Sequence, residues 1–180
     1  MPKNITAFDI GESQVKVVSL AGGFVKRAEV LELPDNVVAG GTIVSMDALA
    51  DFLREKKLGR GRAGVILPDR LVFRRNVTVP PMTDSQLSYN LPFEFKDYLT
   101  QEKGRYFFDY AIQGLEKDDE GQVEGMELFA CATLKTTIED YRNMFRRAGF
   151  NMKLALPEEC AFGNLARFHA RQNPGHDGDV

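Results

Sequence analysis

The stretch that decides the fold is residues 5–18, Ile5-Thr6-Ala7-Phe8-Asp9-Ile10-Gly11-Glu12-Ser13-Gln14-Val15-Lys16-Val17-Val18. Two β-rich runs, Ile5 to Phe8 and Val15 to Leu20, flank the polar connection from Asp9 to Gln14. The pair Gly22-Gly23 then turns the chain into a third run, Phe24 to Leu33. This pattern predicts a three-stranded antiparallel meander that opens the fold.

The connection between the first two runs resembles the first phosphate-binding hairpin of the actin, sugar-kinase and chaperone ATPase superfamily. In such a hairpin, a tight turn presents backbone N–H groups as a nest for phosphate oxygens. The resemblance implies a cofactor-binding set of Asp9, Gly11, Glu12, Ser13 and Lys16. Gly11 would allow close approach, Ser13 would add a hydroxyl and Lys16 a cation, and Asp9 would bind the metal or its waters. Glu12 departs from the pattern, because relatives commonly have a small hydroxyl residue there, and its carboxylate would repel a polyphosphate unless a metal or a lysine offsets it.

The same hairpin has a plainer interpretation, in which Asp-Ile-Gly is ordinary turn chemistry and Lys16 is a solvated strand lysine. Further segments favour the first interpretation, because in order and spacing they resemble the PilM family of type IV pilus assembly proteins, which is related to the cell-division protein FtsA. Those segments are residues 38–44 (VAGGTIV), 74–82 (RRNVTVPPM), 92–99 (PFEFKDYL), 108–110 (FDY) and 130–150 (from ACA to RAGF).

This resemblance covers nearly the whole chain and implies an α/β (α+β) fold: the N-terminal half of an actin-like, ribonuclease H-like fold with an inserted small α+β subdomain. We predict an actin-like subdomain over residues 1–72 and 157–172, an inserted subdomain over 73–156 and a flexible tail over 173–180. A second phosphate hairpin and the adenosine-binding elements would belong to a second half that follows this chain.

Three stretches carry helix-start signals. Ser45 precedes an apolar stripe and is predicted to cap the first helix. Thr83 to Gln86 forms a capping box that opens a helix carrying apolar residues as far as Leu99, with Pro92 expected to kink or break it. Thr136 to Glu139 is predicted to be a second capping box.

The inserted region is predicted to read strand, helix, strand, strand, helix, strand. Its two middle strands span Tyr106 to Gln113 and Met126 to Leu134, with a solvated acidic loop from Glu116 to Gly125 between them. A last short strand, Met152 to Leu156, is assigned to the same subdomain.

Composition excludes several classes of function. The 23 basic and 26 acidic residues give a net charge of −3, so there is no overall basic field for nucleic acid or an anionic membrane. Cys131 and Cys160 are interpreted as reduced, buried small hydrophobes. The N-terminus lacks a signal-peptide pattern and no apolar run has membrane-spanning length, which predicts a cytoplasmic protein. The resemblance implies that it reaches the inner membrane through a partner.

No catalytic residue is predicted, because His169 and His176 have no serine, cysteine or carboxylate at catalytic spacing. The basic clusters Arg60-Gly61-Arg62 and Arg74-Arg75 are interpreted as solvated.

Two hypotheses about function follow from the resemblance. In the first, the chain is a cytoplasmic scaffold of a type IV pilus or type II secretion system that binds the N-terminal tail of a PilN-like inner-membrane protein, at a sheet edge in a groove between the subdomains, and links it to motor components. In the second, the longer protein is an ATPase, a small-molecule kinase or an FtsA-like cell-division protein. ATP and Mg are expected only in the longer protein, and none is expected to bind this chain tightly.

Overall fold

A computed structural model describes residues 4–172, apart from the side chains of residues 165, 166 and 168–172. The predicted flexible tail over 173–180, with His176, lies outside the described residues. So does the side chain of His169.

The described residues form ten strands, four α-helices and two short 3-10 turns. The elements are β1 (Asn4–Ile10), β2 (Gln14–Ala21), β3 (Phe24–Glu32), β4 (Val38–Ala39), β5 (Thr42–Ile43), α1 (Met46–Glu55), β6 (Gly61–Leu67), a 3-10 turn (Asp69–Leu71), β7 (Phe73–Val79), α2 (Asp84–Glu94), a second 3-10 turn (Lys103–Arg105), β8 (Tyr106–Lys117), β9 (Val123–Leu134), α3 (Lys135–Arg147), β10 (Phe150–Pro157) and α4 (Glu158–Gln172).

The chain divides into two compact units, and the boundary differs from the predicted one. Of the described residues, 4–69 and 140–172 form the first unit, and Arg70–Glu139 form the second. The sequence-based boundary placed residues 140–156 in the inserted unit. The structure assigns them to the first unit because β10 pairs along β6, from Phe150 opposite Gly61 to Pro157 opposite Leu67.

The first unit contains a five-stranded sheet in the order β10-β6-β1-β2-β3. Strands β1, β2 and β3 form the predicted antiparallel meander. Strand β6 pairs in parallel with β1, and β10 pairs in parallel with β6. The carboxyl ends of these three parallel strands therefore meet at the edge that also carries the β1–β2 hairpin, and open α/β sheets bind ligands at that kind of edge.

An aromatic cluster forms the centre of the core in this unit. Phe8 of β1 and Phe145 of α3 are both fully buried. Their ring centroids lie 4.9 Å apart, and the ring of Phe150 lies 5.1 Å from that of Phe8. Helix α3 therefore packs on the sheet face to which Phe8 points.

The second unit is a three-stranded antiparallel sheet, in the order β7-β9-β8, covered on one face by α2. The helix buries Leu87, Leu91 and Phe95 against the sheet. Leu87 packs with Leu128 of β9, while Leu91 and Phe95 pack with Ala130 of the same strand. The predicted fold class, α/β with an inserted α+β unit, is confirmed.

Two of the three predicted helix starts are confirmed. The Ser45 hydroxyl accepts a hydrogen bond from the Ala48 amide at 3.2 Å, and Thr83 and Gln86 form the predicted capping box. The prediction at Thr136 is wrong, because α3 begins at Lys135. Strand β9 leads directly into α3, so no residue stands between them in the position of a cap.

The prediction that α2 extends to Leu99 is also wrong. The helix runs through Pro92 and ends at Glu94, with Phe95 as its C-cap. Proline has no N–H to donate to the preceding turn, and the helix ends only two residues after Pro92.

The acidic loop is shorter than predicted, since β8 extends to Lys117 and β9 begins at Val123. Asp118 closes the remaining turn: its Oδ1 accepts hydrogen bonds from the amides of Glu120 at 2.9 Å and Gln122 at 2.7 Å. The polar residues at each end of the predicted loop are therefore part of the strands, because β8 and β9 pair as far as Lys117 and Val123.

Two composition-based expectations have structural outcomes. Cys131 and Cys160 form no disulfide, and both are half-buried rather than fully buried. Among the helices of residues 4–172, none has the length and apolar character needed to cross a membrane.

Candidate functional site

The β1–β2 hairpin brings all five predicted site residues together at the carboxyl edge of the five-stranded sheet. Asp9 is the second-last residue of β1, and Lys16 stands directly opposite it in β2. Gly11, Glu12 and Ser13 form the connection between the two strands. The fold therefore places the predicted set where the parallel strands end.

Lys16 and Asp9 form an exposed ion pair across the hairpin. The ammonium Nζ donates a hydrogen bond to Asp9 Oδ2 at 2.9 Å. This hydrogen bond and the attraction of the Asp9 charge, with a smaller contribution from Glu158, raise the pKa of Lys16 above its ordinary value. The only cation of the predicted set is therefore already engaged with a carboxylate.

Gly11 is required by close packing within the turn. Its N–H donates to the Gln14 carbonyl at 2.9 Å. A Cβ atom at position 11 would lie 3.2 Å from that same oxygen, tighter than most real contacts. The glycine thus serves the turn itself, and its N–H is engaged within the hairpin.

Glu12 joins the hairpin to the neighbouring β4–β5 turn. Its two carboxylate oxygens accept hydrogen bonds from the amides of Gly40 at 3.0 Å and Gly41 at 3.1 Å. Both glycines have positive φ, 55° and 68°, so the turn needs residues without a side chain there. Two successive N–H groups of this kind form an anion-binding concavity, and the anion bound in it is the chain's own carboxylate.

This role of Glu12 was missed by reasoning from the sequence, which considered only a metal or a lysine to offset its charge. The signal that could have found it is the pair Gly40-Gly41, which predicts a tight turn with unpaired amides. The link joins residues 28 positions apart, so local pattern alone gives no reason to connect them.

Glu12→Ala is expected to lower the free energy of unfolding by about 1 kcal/mol, because two charge-assisted hydrogen bonds are lost at an exposed site. The Gly40 and Gly41 amides are expected to exchange with solvent faster in hydrogen-exchange measurements. Glu55→Ala, at another exposed glutamate, is the matched control. Unchanged exchange at Gly40 and Gly41 in Glu12→Ala would contradict this role.

The residues present do not by themselves fit a tight site for ATP and Mg. Two carboxylates, Asp9 and Glu12, outnumber the single ammonium of Lys16, so a polyphosphate would approach a hairpin of net negative charge. Within residues 4–172, no group of three or more His, Cys, Asp or Glu side chains is placed to hold a metal ion. The assignment of these five residues to a cofactor, and of Asp9 to a metal, stays a prediction about a longer protein.

Several solved structures share this fold. One is a PilM–PilN type IV pilus biogenesis complex, matched at 20% sequence identity and a TM-score of 0.75 over 93% of this chain. The chain has the PilM fold. The resemblance drawn from the sequence is thus confirmed at the level of the fold, inserted unit included. This chain is also similar to the cytoplasmic domain of EpsL, an inner-membrane component of the type II secretion system of Vibrio cholerae, at 15% identity and a TM-score of 0.56 over 86% of this chain.

The chain spans 50% of the matched chain in the PilM–PilN complex and 57% of the matched EpsL chain. No protein-family model matches the sequence, and no curated protein matches it.

Proposed function

We propose that this chain is a cytoplasmic scaffold domain of a type IV pilus or type II secretion system, where it binds the N-terminal tail of a PilN-like inner-membrane protein. The observation that carries the proposal is the likeness to PilM over 93% of the chain, inserted unit included. A second likeness, to the cytoplasmic domain of an inner-membrane component of a secretion system, points to the same class of machine. In this role the domain links its membrane partner to motor components.

The negative hairpin supports a scaffold over an enzyme. An ATPase needs cations and free amides where the phosphates lie, to stabilise the charge that develops during transfer. Here Lys16 is paired with Asp9, the Gly11 amide is bonded within the turn, and Glu12 adds a second carboxylate.

Strand β3 offers a surface suited to an extended peptide. It is the outermost strand of its sheet, so among residues 4–172 no strand pairs with its outer side. Its residues Phe24, Val25 and Val30 are 71%, 62% and 58% exposed. A peptide added to this edge would gain main-chain hydrogen bonds, and the apolar side chains would supply contacts along its length. We therefore place the proposed tail-binding surface at β3.

Calorimetric titration of this chain with the N-terminal cytoplasmic peptide of a PilN-like protein tests the proposal. We expect saturable binding, and binding about tenfold weaker for Val25→Asp/Val30→Asp, which corresponds to about 1.4 kcal/mol. Val44→Asp, at a valine 63% exposed outside β3, is the matched control and should bind as the original chain does.

A parallel titration with Mg-ATP separates the two hypotheses. Peptide binding without nucleotide binding supports the scaffold. Tight binding of Mg-ATP without peptide binding would overturn it and favour an ATPase or kinase. Peptide binding that the β3 variant leaves unchanged would keep the scaffold but move its surface away from β3.

A further inference from the structure

A shallow, open cleft rich in arginine lies at the opposite end of the five-stranded sheet from the hairpin, where β6 and β10 begin. It has a volume of about 630 Å³, and two further concavities of about 320 and 500 Å³ share residues with it. Gly149 and Phe150 lie in the main cleft, and the side-chain stem of Arg60 lies over Gly149. The sequence-based interpretation of Arg60-Gly61-Arg62 as merely solvated did not anticipate this cleft, because more than half of its lining comes from residues 146–151.

The charge of this surface, which we call the basic cleft, is strongly unbalanced. Eight basic residues and no acidic residue line the three concavities. Arg147 binds Asp47 and lies 3.7 Å from Asp51, and Arg54 binds Asp51 at 2.9 Å. The other six basic residues have no ion pair within residues 4–172: Lys57, Arg60, Arg62, Arg142, Arg146 and Lys153.

The arginines that are paired show which chemistry this surface accepts. Arg147 reaches two aspartates at once, so side-chain carboxylates bind here within the chain itself. Guanidinium groups also match carboxylates in shape, because their N–H groups form a planar fork. The arginines of the cleft that have no ion pair in the described part of the chain are therefore suited to an acidic protein segment.

The chain carries such a segment at the tip of the β8–β9 hairpin. Asp118 is consumed in closing the turn, but Asp119, Glu120 and Glu124 are exposed, and no ion pair within residues 4–172 engages them. The apolar residues Leu115 and Val123 flank these carboxylates and are 51% and 37% exposed. The tip thus offers negative charge together with an apolar contact surface on a narrow two-stranded ribbon.

We propose that the acidic tip of the β8–β9 hairpin of one copy docks in the basic cleft of a second copy. Such a contact joins two different surfaces of the chain, so each copy supplies both a cleft and a hairpin. The ligand is a protein carboxylate, because Arg147 and Arg54 at this surface already bind aspartate side chains of the chain itself. The proposal does not depend on the PilN-like partner.

The contact is expected to be weak and sensitive to salt. Each exposed ion pair contributes little, and such pairs are screened as ionic strength rises. Analytical ultracentrifugation over a range of protein concentrations should show association at low salt, with an association constant about tenfold lower at high salt.

Charge reversal on each side gives the decisive test. Arg60→Glu/Arg146→Glu and Asp119→Lys/Glu120→Lys are each expected to be monomeric alone, and an equimolar mixture is expected to associate again, since one intact cleft meets one intact hairpin. Asp118 is retained because it closes the turn. Lys26→Glu/Lys96→Glu changes the net charge as much as the cleft variant does and should associate normally. If the cleft variant unfolds, as judged by circular dichroism, Arg142→Glu/Lys153→Glu replaces it.

Three results would overturn the proposal. The first is a chain that stays monomeric at every concentration in low salt. The second is association that neither reversed variant affects. The third is a monomeric chain whose cleft binds a polyglutamate peptide or anionic phospholipid vesicles, which would assign the cleft to another anionic partner.

Discussion

Phe145→Ala is expected to lower the free energy of unfolding by about 3–5 kcal/mol, a large part of the stability of a domain of this size. Phe145 is fully buried, and its ring contacts that of Phe8 with 4.9 Å between centroids. Truncation removes the transfer free energy of the ring and leaves a cavity between α3 and the sheet, which close packing on both sides keeps from collapsing.

Urea unfolding followed by far-ultraviolet circular dichroism measures this loss, since the chain has no tryptophan to report by fluorescence. Phe162→Ala, at a phenylalanine 63% exposed, is the control and should change stability by less than about 0.5 kcal/mol. Equal stability losses in the two variants would show that Phe145 is not at the centre of the core.

The two ends of the parallel strands in the five-stranded sheet carry opposite charge, and this arrangement bears on function. At the hairpin edge, Asp9, Glu12 and Glu158 outnumber Lys16. At the opposite end of the sheet, the basic cleft presents six cations that have no ion pair within residues 4–172. If this chain alone bound nucleotide phosphates, its positive charge would attract them to the basic cleft and not to the β1–β2 hairpin. A scaffold has no such requirement.

Much of the fold follows from short-range patterns in the sequence. The meander of β1, β2 and β3 needs only alternating apolar residues and the Gly22-Gly23 turn, and Ser45 and Thr83 cap helices through atoms three residues away. These features were predicted because their causes lie within a few residues of each other.

The features that were missed depend on residues far apart in the chain. Strand β10 was assigned to the wrong unit because its partner β6 lies about 90 residues earlier, and a short apolar strand carries no mark of which sheet it will join. The hydrogen bonds of Glu12 and the basic cleft were missed for the same reason, since each combines segments that only the tertiary fold brings together.

Phe95→Ala is expected to lower the free energy of unfolding of the second unit by about 3–5 kcal/mol. The physical reason is the one given for Phe145→Ala in the first unit. Phe95 is fully buried at the C-terminal end of α2. Its ring lies 5.7 Å from that of Phe108, and it packs in one cluster with Leu91 and Tyr106. Its loss opens the contact between α2 and the three-stranded sheet.

The place where stability is lost tests whether the two units are also cooperative units of unfolding. Hydrogen exchange in Phe95→Ala is expected to accelerate in β7, β8 and β9 while β1, β2 and β6 keep most of their protection, because local units open with their own free energies. Tyr89→Ala, on the exposed side of α2 at 73% exposure, should leave both sheets protected. Equal acceleration in both sheets would mean that the chain unfolds as one body. The division after residues 69 and 139 would then describe how the chain packs but not how it unfolds.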